Sequence, residues 1–420
     1  MLVNAQTVSV QLEYVRPAVP KLFGLPDTTF SMIEKRPVEK VSTRTARIPL
    51  KVNPGGNSGA ADFDGGDMGR GSAAEHDHAL ITPLGAKHVV EISKLAEFAT
   101  DSKSKAVSQV TKDAVTDGMK TFRRDIDTWL QTAGNGVLGT ILSGGGTSTW
   151  VLTSTPFGAR LLRKNLTVGA YNAALTVKSG EATINSKPIA GLGKTQTVTV
   201  DADPGTTDTD LIVVSGLSGA TPTWVYGIPY HHNTATTGTW MGISRANDYA
   251  VANGVNAANA TFSLPPFRLA PNQILQELGD DPANLSGLLW HCHMAGVAGY
   301  EEYGLSLQNI QRTSASEAMP DLLFDMKQSP KLAGFPMKKS NHADPTRFDL
   351  MNLNTWGRVE WKEIGYLDIG GQTVFPVYGD SGGIASAYLF YFITGFQFFV
   401  DNPKAISSVL NVTPPSGYTA

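Results

Sequence analysis

Between Val41 and Gln131 two β-like runs enclose a stretch that cannot bury anything, and the chain then enters one long amphipathic helix. The runs are Thr43 to Val52 (TRTARIPLKV) and His76 to Ile92 (HDHALITPLGAKHVVEI), and between them lies PGGNSGAADFDGGDMGRGSAAE. So polar and glycine-rich a tip has no core of its own to offset the entropy of ordering it. From Ser104 to Leu130 the residues Val107, Val110, Ala114, Met119, Phe122, Ile126 and Trp129 recur at near three-four spacing, which predicts a helix with one apolar stripe. At 1.5 Å per residue that helix is about 40 Å long. A long hairpin unable to fold alone, rooted beside a rigid rod, is a part made to lie on a neighbouring molecule. This is an assembly signal, not a catalytic one.

Composition bounds the rest. The chain has 420 residues, 41% hydrophobic and 17% charged, enough for more than one core. With 43 glycines and 24 prolines it is rich in turns, so strands are expected to outweigh a helical bundle. A net charge of -3 argues against a protein that grips nucleic acid by neutralising many phosphates, although a container for DNA needs no such grip. Cys292 is the single cysteine, which excludes an internal disulfide framework and a cysteine zinc cluster. The start, MLVNAQTVSVQLEYV, lacks the basic region and apolar run of a signal peptide. The longest apolar run, Tyr388 to Val400, falls short of the ~20 residues that span a bilayer. These features predict a soluble chain made in a reducing cytoplasm, with no membrane partner.

The order of N-terminal arm, extended loop and spine helix resembles the major capsid proteins of tailed bacteriophages, the Hong Kong 97 type shell fold. The likeness continues in PPFRLAPNQILQELGDDPANLSGLLWHCHM (Pro265 to Met294), similar to the central-domain helices of such proteins. It extends to KSNHADPTRFDLMNLNTWGRVEWKEIGYL (Lys339 to Leu367) and FYFITGFQFFVDNPKAISSVLNVTPPSGY (Phe390 to Tyr418), similar to their return strands. No single motif carries it; the order along most of the chain does. The resemblance implies an α+β fold with an arm over 1–42, an extended β-hairpin loop over 43–92, and a peripheral domain with spine helix and β-rich insertion over 93–241. An axial domain over 242–384 and return strands over 385–420 complete it. It implies a structural, non-enzymatic subunit that assembles with itself as hexamers and pentamers into an icosahedral phage head around double-stranded DNA. Portal, scaffolding and decoration proteins are the implied partners, and no cofactor is. A loop lysine crosslinked to a neighbour's asparagine, as in some such shells, is not expected, because Lys51 lies at the loop's base and the tip has none. With no long scaffolding segment ahead of the arm and Met1 in place, a separate scaffolding protein is expected.

Charge suggests how neighbours register. From Arg16 to Arg47 there are seven basic residues, Arg36, Arg44 and Arg47 among them, against Asp27, Glu34 and Glu39. The loop instead carries Asp62, Asp64, Asp67, Glu75 and Asp77 against Arg70. The expectation is that one subunit's acidic loop lies over its neighbour's basic arm. The arm, broken by Pro17, Pro20, Pro26 and Pro37 but holding Leu12, Tyr14, Phe23, Phe30 and Ile33, reads as an extended segment in need of a surface.

After a glycine-rich break at Gly134 to Ser148 the sequence turns β-like through Trp240, with alternation in KTQTVTVDA and TDLIVVSG around a turn cluster. This predicts an exposed β-rich knob. Farther on, Pro271 and Pro282 are expected in the first turns of two helices, the second capped by Asp281 and burying Leu285, Leu288, Leu289 and Cys292. The aromatic run from Tyr388 is expected inside a sheet, since it would aggregate as an open edge.

Several patterns imitate active sites. Gly379 to Gly383 spells GDSGG, the nucleophile loop of chymotrypsin-like peptidases, but none of the eight histidines stands in the required context and Ile384 replaces the usual proline. His291 and His293, on the helix expected there, would point about 200° apart and could not share a metal. His76 and His78 share a face on a strand but supply only half a zinc site, and adjacent His231 and His232 point apart. Counting from Asp62, DFDGGD puts Asp67 and Ala73 where a calcium loop needs glycine and glutamate. No GxxxxGK[ST] is present. Two other classes carry less of the pattern. An encapsulin-like compartment would share the fold but hold a protein cargo. A β-rich extracellular binding protein would leave the spine helix unexplained.

Overall fold

The computed structural model describes residues 29–37, 45–59, 64, 69–93, 104–186, 196–308, 331–378 and 383–415. The chain divides into two units, the first over Gly85–Asp127 and Glu360–Phe396, the second over Thr29–Leu84, Thr128–Val359 and Gln397 onward.

The first unit joins the spine helix to a sheet. The helix runs Ser104–Trp129, one residue short of its expected end, because the three-four stripe persists that far. Phe122 and Ile126 are fully buried, and Ala114 and Met119 half-buried. Gly118 sits mid-helix, where glycine costs about 1 kcal/mol against alanine. Its reason is contact: a Cβ there would lie 2.5 Å from Val90 Cγ2 and 3.1 Å from Phe392 Cε2. His88 stacks on Phe122 at 5.8 Å and on Phe392 at 6.3 Å, with its Nδ1 3.7 Å from Asp125. The sheet centres on the long strand Ile384–Val400, flanked by Trp356–Tyr366 and Val374–Tyr378 and paired also with Leu84–Ser93. The aromatic run is interior, as its hydrophobicity requires.

In the second unit, strands Ala46–Asn53 and Glu75–Ile81 form an antiparallel hairpin. The β-rich stretch is a closed six-stranded barrel in the order Val137–Ser143, Thr149–Leu152, Thr197–Val200, Lys178–Ser186, Thr167–Tyr171, Leu211–Val214. Closure removes the open edges that short Thr- and Val-rich strands would otherwise expose. Its entry and exit meet at a neck, where Trp224 N donates to Gly134 O at 2.8 Å and Ala133 bridges Tyr226.

A six-stranded sheet forms the centre, in the order Val255–Thr261, Ser407–Thr413, Phe348–Asn352, Leu288–His293, Phe335–Ser340, Lys331–Leu332. Against one face pack residues of helix Leu264–Leu278: Phe267, Ala270 and Ile274 meet Trp290, Phe348 and Leu350. Two expectations are corrected here. Pro271 lies inside that helix, not in its first turn; Pro265 and Pro266 occupy the start, and the Pro271 ring is buried. Asp281 does cap, accepting from Ala283 N at 2.9 Å, but only a 3-10 turn over Pro282–Leu285. Leu288 to His293 is then a strand buried at every residue, because LLWHCH serves a sheet covered on both faces.

Candidate assembly surfaces

The hairpin is anchored at one end and exposed at the other. Its root pair is Ala46 opposite Ile81, both fully buried with Ala79. Outward from there Arg47, Pro49, Lys51 and Asn53 are exposed on one strand, and Glu75, His76 and His78 on the other. Beyond the strands the arms stay joined: Gly56 N donates to Ser72 O at 2.9 Å, and Ser72 Oγ donates to Gly56 O at 3.1 Å. Gly55 is required at this closure, with φ of +73° and Ala74 N 2.6 Å from where a Cβ would stand. At the root, Leu80 N donates to Met241 O at 2.7 Å, and the Tyr249 hydroxyl donates to Asp77. That hydroxyl, helped by His78 N, holds the Asp77 carboxyl below the usual carboxylate range. A two-stranded ribbon is marginal by itself in water, so its outer part calls for a partner surface.

The N-terminal segment is clasped within the second unit. Helix Thr29–Met32 buries Thr29 and Phe30, and Ile33 is buried beyond it. Phe30 meets Phe398 edge-on at 6.1 Å, and the Arg358 guanidinium lies 4.4 Å from its ring centre while donating to Phe30 O. Backbone bonds of 3.0 Å tie Arg36 N to Arg358 O and Arg358 N to Glu34 O. The Arg36 guanidinium donates to Asp401 at 2.9 Å and to the carbonyls of Leu353 and Asn354.

Of the charged residues expected to meet across subunits, Arg47, Asp64 and Arg70 are exposed. Arg36 is engaged inside its own subunit. Arg44, Asp62 and Asp67 lie outside the described residues, as do the first four residues of Gly379 to Gly383. The clasp partners Arg358 and Asp401 escaped sequence reasoning, because nothing local in the sequence links residues more than 300 positions apart.

Two of the three histidine pairs are buried, while His76 and His78 are exposed on the hairpin. His291 and His293 are on a strand and share a face, which corrects the helical expectation. There His293 Nδ1 accepts from Ala295 N at 3.1 Å, and His291 Nε2 lies 3.5 Å from Thr29 Oγ1. Burial, then nearby Arg160, pushes His293 down to about 3. His231 and His232 end the short helix from Ile228 and are both buried, not set in a strand. Among the described residues no three His, Cys, Asp or Glu side chains are grouped to hold a metal, and no helix is long and apolar enough to cross a membrane.

In the first unit, Tyr366, Ile369, Val374, Tyr378 and Ile384 are exposed on the strands around one end of the sheet.

No family model and no curated protein matches the sequence. Solved structures do. The chain is similar to the capsid asymmetric unit of cyanophage A-1(L), with 13% identity, a TM-score of 0.53, and coverage of 95% of this chain and 97% of the other. It also matches the mature capsid of bacteriophage PhiM1 (9% identity, TM-score 0.44, 95% and 91% covered) and an encapsulin complex from Synechococcus elongatus (10%, 0.46, 96% and 94%). The fold argument rests on the first. A mixed helix-and-strand architecture shared along nearly the whole length of both chains is the fold of shell-forming capsid proteins. At 13% identity the likeness is one of fold: the chain has the fold seen in a phage capsid.

Proposed function

We propose that the chain is a major capsid subunit of the Hong Kong 97 type, assembling as hexamers and pentamers into an icosahedral phage head around double-stranded DNA. The observation that carries this reading is the end-to-end likeness to a phage capsid chain, joined to a hairpin whose outer half is exposed. In this arrangement the hairpin crosses to a neighbour, bringing the acidic Asp62, Asp64 and Asp67, with Arg70 among them, over the basic stretch formed by the neighbour's arm and loop base, which includes Arg44 and Arg47. Arg36 serves by fixing where that arm leaves its own subunit. The apolar sheet end of the first unit meets its counterparts around threefold contacts, and the spine helix is the strut. Each contact needs only a few kcal/mol, because closure of the shell repeats it in every subunit. Portal, scaffolding and decoration proteins are further partners in this reading, with assembly in the host cytoplasm.

The test is electron microscopy of the native particle, or of the chain expressed with its neighbouring genes. Uniform closed shells containing DNA are expected. Shells filled with a protein cargo would replace the phage head by an encapsulin-like compartment, and a monodisperse single subunit would remove the shell reading.

A further inference from the structure

The segment from Tyr226 to Ala250 is the seat of the hairpin, through Met241 O on Leu80 N and the Tyr249 hydroxyl on Asp77. Within that seat Tyr230 accepts from Met241 N at 2.7 Å, and Arg245 donates to the carbonyls of Tyr230, Asn233 and Ala250 at 2.7, 3.1 and 3.4 Å. Two histidines complete it, and the bonds their Nδ1 atoms make are those of neutral rings, with both buried Nε2 atoms unpartnered among the described residues. His231 Nδ1 accepts from Trp240 Nε1 at 3.2 Å, which requires a lone pair on that nitrogen. His232 Nδ1 lies 3.0 Å from Ser407 O, so it carries the proton and donates. The buried Nε2 of His232 has no protein partner. A second proton on His231 would set two donors against each other, and one on His232 would add an N–H with nothing to receive it.

The surrounding charges do not offset such a proton. Facing His231 are His232, the Arg245 cation, and Tyr226 and Tyr230, whose hydroxyls burial keeps neutral. Facing His232 are Asp349 at 3.6 Å, Arg347 and His291. Asp349 is already engaged by Arg347, which donates from Nε at 3.0 and 3.1 Å and from Nη2. Arg347 also has Asp344 beside it, while Arg245 stands as a cation next to His231, and a proton on either ring adds to positive charge already present.

We propose that His231 and His232 form an acid-operated release for the hairpin: charging them breaks the bond to Trp240, loosens the seat, and frees the hairpin from its fixed angle on its own subunit. The inference rests on the hairpin being the arm that reaches a neighbour, and it adds how that arm is let go. Burial holds His231 well below its ordinary range and His232 at about 4, so the release belongs to distinctly acid conditions.

The test is amide hydrogen exchange on the full-length unassembled chain, from neutrality to well below pH 4 so that both rings are charged, with rates corrected for intrinsic pH dependence. Peptides covering 46–59, 69–81 and 226–250 should lose protection about tenfold or more while those covering Leu288–His293 and Phe348–Asn352 keep theirs. The double variant His231→Gln/His232→Gln should keep its hairpin protected through the same range. Protection that persists in the seat, that vanishes everywhere at once, or that is lost equally in the double variant would overturn the proposal. Should the variant not fold, the order of loss in the unmodified chain decides alone. The assay needs no shell, so a stable seat in a shell-forming chain defeats this inference and leaves the capsid reading standing.

Discussion

Replacing Gly118 by alanine sets two effects of known size against each other. Removing a mid-helix glycine favours the helix by about 1 kcal/mol. The new methyl, however, would stand 2.5 Å from Val90 Cγ2, against the ~3.5–4.0 Å at which carbon atoms attract. Phe392 cannot easily yield either: it is fully buried and held between His88 and Tyr366, at 6.3 and 5.2 Å between ring centres. Overpacking of this kind costs about 1–3 kcal/mol, so Gly118→Ala should destabilise by roughly 0–2 kcal/mol instead of gaining 1. The decisive arm is Gly118→Ala combined with Val90→Ala. Val90→Ala alone loses a half-buried side chain, at a cost of about 1 kcal/mol. In the pair the shorter of the two contacts is gone while the one to Phe392 stays, so the two changes should couple favourably by about 1–2 kcal/mol in a double-mutant cycle. Urea unfolding of all four proteins, read by circular dichroism, supplies the terms. A Gly118→Ala chain stabilised by its full propensity gain, with no coupling to Val90, would refute the close approach of helix and strand.

Four further outcomes are expected. Replacing residues 136–222 by an Asn-Gly pair should excise the barrel without unfolding the rest, because Gly134 and Trp224 are already hydrogen-bonded neighbours; loss of the remaining cooperative transition in calorimetry would make the barrel integral. Phe30→Ala should cost about 3–5 kcal/mol in urea unfolding, as for other buried aromatics, and a loss below about 1 would deny that the N-terminal clasp is held by its ring. His232 and His293 are neutral in the fold, at about 4 and about 3 against an ordinary 6.5. The unfolded chain therefore binds more protons below pH 6.5, and stability, full above that value, should decline as pH falls toward 4, by roughly 3 kcal/mol for His232 alone; a flat profile across that window contradicts their burial. Charge reversal of Asp62, Asp64 and Asp67 to Lys should lower the yield of closed shells in electron micrographs, and normal assembly would remove the charge-registry idea.

What could be read from the sequence follows from the range of the forces involved. The spine helix was legible almost to the residue because its stripe repeats over seven turns, and so was the first hairpin strand, but the run expected from His76 to Ile92 is two strands, Glu75–Ile81 in the hairpin and Leu84–Ser93 paired with Ile384–Val400. The barrel strands Thr197–Val200 and Leu211–Val214 fall inside their expected segments. That they close into a barrel was not legible, since closure depends on the first strand pairing with the last, Val137 with Val213. The clasp of Phe30 and Arg36 was hidden for the same reason: its partners Arg358 and Asp401 are more than 300 positions away.

The misreading of Leu288 to His293 shows how much one element type decides. As a helix, LLWHCH would scatter its histidines and leave each to chance neighbours. As a strand it alternates, and the register carries the alternation across the sheet: Trp290 stands opposite Leu350, His291 opposite Asp349, Cys292 opposite Phe348. The next pairing repeats it, with Phe348 opposite Val409 and Asp349 opposite Ser408. One face thereby becomes mostly apolar, with Asn352 opposite Leu288 and Ser407 opposite Leu350, and packs against the long helix from Leu264. The other gathers His291, Asp349 and Ser408, buried beside Arg347, with His232 closing over them. A sheet covered on both faces needs no polar residues for stability, and each one buried costs free energy unless it is paired. Gathering the charged and titratable ones, His291, Asp349 and His232, on one face concentrates that cost beneath the segment that holds the hairpin's root.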